Sequence, residues 1–246
     1  MSFWRFLLLI AVLLGTAAAF AQETAVPERP FSLPFASPPG PDTWLLGQPY
    51  GNTTGAYNQR FTTYGASGGI HFGVDLAAPC GTEIVAIADG VVFMVDGPFG
   101  SPPHNLMIDH PETGYASMYG HLFAPPDLQP GEVVTRGQVI ALSGDSAGTC
   151  SPTGGRPHLH LEIRDIATHR RKYNPHLLIE ANWDSLALLG PFGNSFQRDL
   201  TDPRKWQSLY DQPEVTTAGP IVNDFAETWP QSWRGSRGGE WLVVSG

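Results

Sequence analysis

The chain has 246 residues, enough for one or two domains, and its composition narrows the classes of protein that it can represent. Fourteen Lys and Arg residues against 23 Asp and Glu residues give a net charge of −9. This balance argues against a nucleic-acid partner, because neutralising phosphates requires clustered cations. The 28 Gly and 23 Pro residues favour short strands joined by tight turns over a helix bundle.

Residues 1–21 have the pattern of an export signal. Arg5 precedes an apolar stretch from Phe6 to Phe20, and Ala19-Phe20-Ala21 forms an A-x-A cleavage site. The stretch is shorter than the roughly 20 apolar residues that span a bilayer. We therefore expect a cleaved signal and a mature chain that acts in the periplasm, the cell wall or the medium, without stable membrane insertion. An uncleaved N-terminal anchor is the alternative.

Proline divides the next segment from the rest of the chain. Six prolines in residues 22–41 predict an extended linker over residues 22–44. Beyond it, short apolar runs recur with Gly, Pro or Asp at each joint, and no helical periodicity separates them. The runs are Ile84–Ile87, Val91–Val95, Leu106–Ile108, Tyr115–Tyr119, Val133–Thr135, Val139–Leu142 and Leu159–Ile163. This pattern predicts an antiparallel all-β domain over residues 45–178, with a hairpin at Asp89-Gly90.

The composition changes again after Leu178. Residues 179–246 contain five of the seven tryptophans and no chemical motif, and residues 179–190 are compatible with one short helix. This Trp-rich extension either packs against the preceding domain or presents aromatic rings to a partner.

The two cysteines, Cys80 and Cys150, are 70 residues apart. An even number of cysteines in an exported protein favours a disulfide, and two buried free thiols are the alternative.

Two histidine motifs carry the chemistry of the sequence, His71-Phe-Gly-Val-Asp75 and His158-Leu-His160. In a strand, side chains two or four residues apart share a face, so each motif presents both polar groups on one side. Gly73 allows a bend or a close approach between them. Two imidazoles and one carboxylate leave a coordination position for water, as in catalytic zinc sites. The same donors also describe non-haem iron oxygenases, so an iron enzyme remains an alternative.

Longer motifs around these histidines resemble the lysostaphin/LytM-type zinc peptidases of peptidoglycan. The motifs are Gly69–Asp75, Gly81–Val92, Ile108–His110, Tyr119–Leu122, Gly137–Gly144, Pro157–Glu162 and Asn174-Pro175. Together they span residues 64–177. The stretch Asp145–Pro157, which includes Cys150, is longer than the usual loop of that family.

The resemblance implies a role for each matched residue. His71, Asp75 and His160 would bind one Zn²⁺ per chain, and His121 and His158 would be the catalytic histidines that activate water and stabilise the tetrahedral intermediate. The chain has no H-E-x-x-H motif, so an imidazole takes the place of a glutamate base.

Other residues near these motifs have less specific readings. Tyr64 is a candidate for contacting a developing oxyanion, and Glu162 for orienting a metal ligand. His110 matches a family position but is read as structural.

The resemblance implies an antiparallel β domain with an open groove, acting as an exported monomeric zinc metalloendopeptidase. Its substrate would be the peptide cross-links of bacterial peptidoglycan. A non-catalytic domain of this type that binds and activates another cell-wall hydrolase is the alternative.

Overall fold

The structure, a computed structural model, describes residues 29–148, 150, 156–189, 209–210, 212 and 214–217. The predicted export signal over residues 1–21 lies outside the described residues. Within these ranges, no helix combines the length and the apolar character that crossing a membrane requires.

Short β-strands dominate the described part of the chain. The strands are β1 (Leu45–Gln48), β2 (Val74–Ala77), β3 (Glu83–Val85), β4 (Gly90–Val95), β5 (His104–His110), β6 (Tyr115–Leu122), β7 (Val133–Val134), β8 (Val139–Leu142), β9 (His158–Asp165), β10 (Arg171–Tyr173) and β11 (Val215–Thr216). The helices are α1 (Thr54–Asn58), α2 (Pro175–Leu178) and α3 (Trp183–Leu189), and Gly65–Ser67 form a 3₁₀ turn. The predicted all-β class is confirmed.

Every strand pairing in the described residues is antiparallel, and nine of the strands form one sheet. Its order is β1-β2-β9-β6-β5-β4-β7, with β10 added to β9 and β11 added to β10. The strands β3 and β8 form a separate two-stranded sheet. This order places β2 directly beside β9, although Asp75 and His160 are 85 residues apart in the chain.

The predicted hairpin at Asp89-Gly90 is wrong. Strand β3 pairs with β8, whereas β4 pairs with β5 and β7. A type I′ hairpin turn requires positive φ at both central residues, and neither Asp89 nor Gly90 is among the described residues with positive φ. The Asp89-Gly90 turn instead leads the chain from one sheet into the other.

The predicted linker over residues 22–44 also differs from the structure over its described part, residues 29–44. Phe31, Phe35 and Trp44 are buried in the hydrophobic core. Phe31 forms a parallel bridge with Ile179. The buried aromatic rings pack this segment against the domain.

The start of the Trp-rich extension packs against the domain, as one of the two alternatives for this region expected. Helix α3 confirms the short helix, and Trp183, Leu209 and Val215 are buried. The other tryptophans of the extension, Trp206, Trp229, Trp233 and Trp241, lie outside the described residues.

Candidate active site

Strand β9 separates an apolar face from a polar one. Leu159, Leu161 and Ile163 are fully buried in the core. Because side chains alternate along a strand, His158, His160 and Glu162 share the opposite face. The apolar residues fix the register of β9, since a slip by one residue would move the histidines into the core.

Strand β2 supplies the neighbouring carboxylate. Asp75 is the register partner of His160, and Asp75 Oδ1 lies 2.7 Å from His160 Nδ1. His71, which precedes the strand, places Nε2 at 3.1 Å from Asp75 Oδ1 and at 3.2 Å from His160 Nδ1. The structure thus brings together the three residues predicted as ligands.

Gly73 permits this approach. A Cβ atom at Gly73 would lie 2.4 Å from the Leu161 carbonyl oxygen, so no larger residue fits between His71 and Asp75 without displacing β9. The close approach and the bend predicted at Gly73 are both present.

The spacing of the three donor atoms fits a tetrahedral metal ion. Bonds of about 2.0–2.1 Å in tetrahedral geometry separate ligand atoms by about 3.3 Å, close to the 3.1 and 3.2 Å edges of the triangle and longer than its 2.7 Å edge. Although burial opposes protonation, the Asp75 and Glu162 carboxylates raise the pKa of His160 to about 9. The donor set therefore favours a positive charge at its centre, as a cation site requires.

Contacts outside the triangle orient the two imidazoles. His71 Nδ1 donates to the Pro49 carbonyl at 2.8 Å, which leaves Nε2 as the free acceptor. His160 Nε2 donates to Glu162 Oε1 at 3.1 Å, so Nδ1 is the nitrogen that faces the triangle and that a metal ion would bind in place of its proton. Fixing one ring nitrogen in this way sets both the tautomer and the direction of a ligating histidine.

A buried ion pair stabilises the carboxylate behind His160. Arg164 Nε donates to Glu162 Oε2 at 2.8 Å, and its other nitrogens donate to the Phe99 and His169 carbonyls. Burial would raise the pKa of Glu162, but the charges of Arg164 and His160 hold it well below its usual range. Glu162 is therefore a fixed anion at neutral pH.

His121 and His158 lie beside the triangle, with ring centroids 4.6 Å apart. His158 Nδ1 donates to the Arg156 carbonyl at 2.6 Å, and its Nε2 lies 3.9 Å from Asp75 Oδ1. His121 Nδ1 donates to the Pro102 carbonyl. Both rings therefore keep Nε2 as a free acceptor. Burial, together with His160 and His158, lowers the pKa of His121 to about 4, so this ring is neutral at physiological pH.

The backbone of β6 explains how His121 reaches this face. Gly120 is opposite His160, so regular alternation would send His121 toward the core with Tyr119. His121 instead has φ of 57°, and its backbone N–H donates to the Ser101 carbonyl at 3.0 Å. The left-handed conformation interrupts the alternation and accompanies the placement of the ring near His158 and His160.

Tyr64 forms part of the rim. Its ring meets His71 edge to face, with centroids 5.8 Å apart. Burial and the nearby Asp75 charge raise the pKa of Tyr64, so the hydroxyl stays protonated and able to donate. His110 Nδ1 donates to the Asp89 carbonyl and Nε2 accepts from the Ser117 hydroxyl, away from the triangle, which agrees with a structural reading.

The predicted disulfide between Cys80 and Cys150 is confirmed. Asp145 holds the start of the same loop, because its carboxylate accepts from the Ala147 and Cys150 backbone N–H groups. The loop leads to His158, whose own N–H donates to the Gly144 carbonyl.

An antiparallel sheet that gathers two imidazoles and a carboxylate, with two further imidazoles alongside, is typical of metal-dependent hydrolases. Residues 69–178 match the model of Peptidase family M23. The resemblance drawn from the motifs is confirmed at this level.

Named relatives are similar to part of this chain. The chain is 39% identical over 95 residues to the DD-carboxypeptidase/endopeptidase Mpg of Neisseria meningitidis serogroup B, covering 39% of this chain and 20% of that protein. It is 38% identical over 94 residues to the peptidoglycan DD-endopeptidase ShyA of Vibrio cholerae serotype O1, covering 38% and 20%. The aligned segment is thus about a fifth of each of these two relatives.

Among solved structures, the chain is similar to a catalytic-domain variant of the prophage-encoded M23 protein EnpA from Enterococcus faecalis. The two are 27% identical, with a TM-score of 0.42, and the match covers 59% of this chain and 95% of that one.

Several residues that support the site were not found from the sequence. The Pro49 carbonyl and Arg164 lie outside any motif that names a ligand, and their positions depend on tertiary contacts. Alternation along β9 could have placed Arg164 on the face of His160 and Glu162, and this signal was present in the sequence.

Proposed function

We propose that this protein is an exported zinc metalloendopeptidase that hydrolyses peptide cross-links of bacterial peptidoglycan. His71, Asp75 and His160 bind one Zn²⁺, and His121 and His158 carry out proton transfer. The observation that carries the proposal is the triangle of donor atoms with the His121 and His158 imidazoles beside it.

The M23 domain and its relatives support the substrate class. Mpg is named a DD-carboxypeptidase/endopeptidase, and ShyA a peptidoglycan DD-endopeptidase. Peptidoglycan lies outside the cytoplasm, which agrees with the export signal expected over residues 1–21.

Zinc bound here supplies Lewis-acid chemistry, which lowers the pKa of a water from 15.7 to about 7 and polarises the scissile carbonyl. Asp75 keeps the site anionic, since burial raises its pKa but the neighbouring histidines His71, His158 and His160 hold it well below its usual range. Glu162 holds the His160 ring in the orientation that directs Nδ1 to the ion.

The chain's own residues manage the proton and the developing charge. Nε2 of His158 or His121 accepts the proton of the attacking water, and the imidazolium then donates it to the leaving amine. The backbone carbonyls of Arg156 and Pro102 keep the opposite N–H of each ring engaged. The protonated hydroxyl of Tyr64 donates to the oxyanion as it forms.

The decisive experiment compares metal content and hydrolysis in the same preparations. Purified wild type, His71→Ala and His158→Ala are analysed for zinc and iron by mass spectrometry of the metals, and are then incubated with peptidoglycan whose fragments are identified by mass. We expect His71→Ala to lose zinc and activity together. We expect His158→Ala to retain zinc and to lose turnover by about 10² to 10⁴, the range of a positioned acid–base group.

Three results would contradict the proposal. Zinc-loaded wild type that binds peptidoglycan without cleaving it would favour the non-catalytic domain. Iron in place of zinc would favour the oxygenase. Loss of zinc in His158→Ala as complete as in His71→Ala would reverse the assignment of the two histidines in His158-Leu-His160.

A further inference from the structure

A segment from the Trp-rich extension contacts the region of the candidate ligands, although it lies beyond the family match. The described residues of this segment are 209–210, 212 and 214–217. The Leu209 carbonyl accepts from Asn174 Nδ2 at 2.7 Å. Gln212 is buried, and its Oε1 accepts from the Asn52 backbone N–H at 2.7 Å. The segment is thus joined to the domain by buried polar contacts.

The Asn52 contact fixes the loop that orients His71. Gly51 and His71 exchange two backbone hydrogen bonds, of 2.9 and 2.8 Å, and the Pro49 carbonyl accepts from His71 Nδ1. The Gln212 side chain packs directly on Gly51, where a Cβ would lie 2.3 Å from Gln212 Oε1. Gln212 therefore contacts this loop at two places, the Asn52 backbone N–H and Gly51.

The other end of the segment pairs with β10, which is the neighbour of β9, the strand that contains His160. Val215 of β11 pairs with Lys172 of β10, and Lys172 pairs with Arg164 of β9. The Lys172 ammonium donates to the Thr217 hydroxyl. One short piece of chain is thus bonded both to the loop behind His71 and to the strands that carry His160.

We infer that residues 209–210, 212 and 214–217 form a brace that sets the spacing between His71 and His160, and that Gln212 is a positioning residue for the metal. The inference rests on the proposed zinc site. In the structure His71 Nε2 and His160 Nδ1 are 3.2 Å apart. Without the Gln212 acceptor, the Asn52 backbone N–H loses this hydrogen bond to the brace, and the loop of residues 49–53 holds His71 less firmly at this distance.

The test uses Gln212→Met in the full chain, because methionine keeps the length of the buried side chain and removes the acceptor. The matched control is Gln138→Met, since Gln138 Oε1 also accepts a backbone N–H, from Thr135 at 3.0 Å, in the turn between β7 and β8. Zinc affinity is measured by competition with a chelator, and Co²⁺ is bound separately to record its visible spectrum. Thermal unfolding of the metal-free proteins gives the change in stability.

We expect Gln212→Met to raise the zinc dissociation constant by about tenfold, the low end of the range for outer contacts, because Gln212 acts through the loop behind His71 and not on a ligand directly. The Co²⁺ spectrum should change, while Gln138→Met leaves both unchanged. If Gln212→Met binds zinc as tightly as the wild type, the inference about the brace is wrong. It is also wrong if Gln138→Met loses as much zinc affinity as Gln212→Met. If Gln212→Met does not fold, Gln212→Asn, shorter by one methylene, gives the same comparison. Wild type that binds zinc through this site but cleaves no peptidoglycan would refute the proposed function and leave the brace intact.

Discussion

Replacing Glu162 by glutamine tests whether the carboxylate behind His160 controls the metal site. Glu162 accepts from His160 Nε2 at 3.1 Å and from Arg164 Nε at 2.8 Å. A glutamine has one oxygen, so it satisfies either His160 or Arg164. If the oxygen faces Arg164, the amide N–H₂ faces His160, whose Nε2 must then lose its proton. The proton moves to Nδ1, the atom proposed to bind zinc.

The magnitude follows from these contacts. Outer contacts of a ligating histidine typically change metal affinity by 10- to 100-fold, so we expect Glu162→Gln to raise the zinc dissociation constant within roughly this range. Arg164 keeps the Phe99 and His169 carbonyls as acceptors. The Arg164 guanidinium therefore keeps hydrogen-bond partners in the variant. We expect the free energy of unfolding to fall by about 1–3 kcal/mol, less than the 3–5 kcal/mol that breaking a buried ion pair usually costs.

Chelator competition measures the zinc affinity, and urea unfolding of the metal-free protein measures the stability. The control is Asp109→Asn, which also removes a carboxylate from a histidine, since Asp109 Oδ1 lies 2.7 Å from His169 Nε2 outside the metal site. Asp109→Asn should leave zinc binding unchanged. Wild-type zinc affinity in Glu162→Gln would show that the orientation of His160 does not depend on the carboxylate.

Two further predictions concern stability. Replacing Cys80 and Cys150 by serine should lower the free energy of unfolding by about 4 kcal/mol, because the disulfide closes a 70-residue loop; urea unfolding that matches the wild type would contradict this. Burial lowers the pKa of His176 to about 3, so the folded state excludes a proton that the unfolded chain binds near pH 6.5. Stability should therefore fall as pH drops from about 6.5 toward 3, and between pH 6.5 and 5 the metal-free wild type should lose about 2 kcal/mol more than His176→Leu. Equal losses in the two proteins would refute the assignment.

The central strands and the candidate ligands were predictable from the sequence because their signals are local. Alternation alone places His158 and His160 on one face of β9, and the buried leucines between and after them fix that face. The even spacing of His71 and Asp75, with the small Gly73 between them, predicted that these two side chains lie on one face near the second histidine motif. These positions depend on strand geometry, which the pattern of residue types reports directly.

The failures arose where tertiary contacts override a local signal. Asp89-Gly90 has the composition of a hairpin turn, but β3 and β4 find partners in different sheets. Phe31, Phe35 and Trp44 are buried although the prolines around them indicate a linker. In both cases the burial of distant apolar partners, which one sequence does not display, decides the result.

The four imidazoles of the site differ in the group that accepts a hydrogen bond from the ring nitrogen facing away from the donor triangle. His160 alone among them donates to a carboxylate, which raises its basicity and suits a ligand of a cation. His121 and His158 donate to backbone carbonyls, which fix the ring but add no negative charge. His71 also donates to a carbonyl, yet its Nε2 lies within the donor triangle. The His158-Leu-His160 motif cannot by itself distinguish a ligand from a base. The Glu162 carboxylate beside only the second histidine supports the division in which His160 binds the metal and His158 moves the proton.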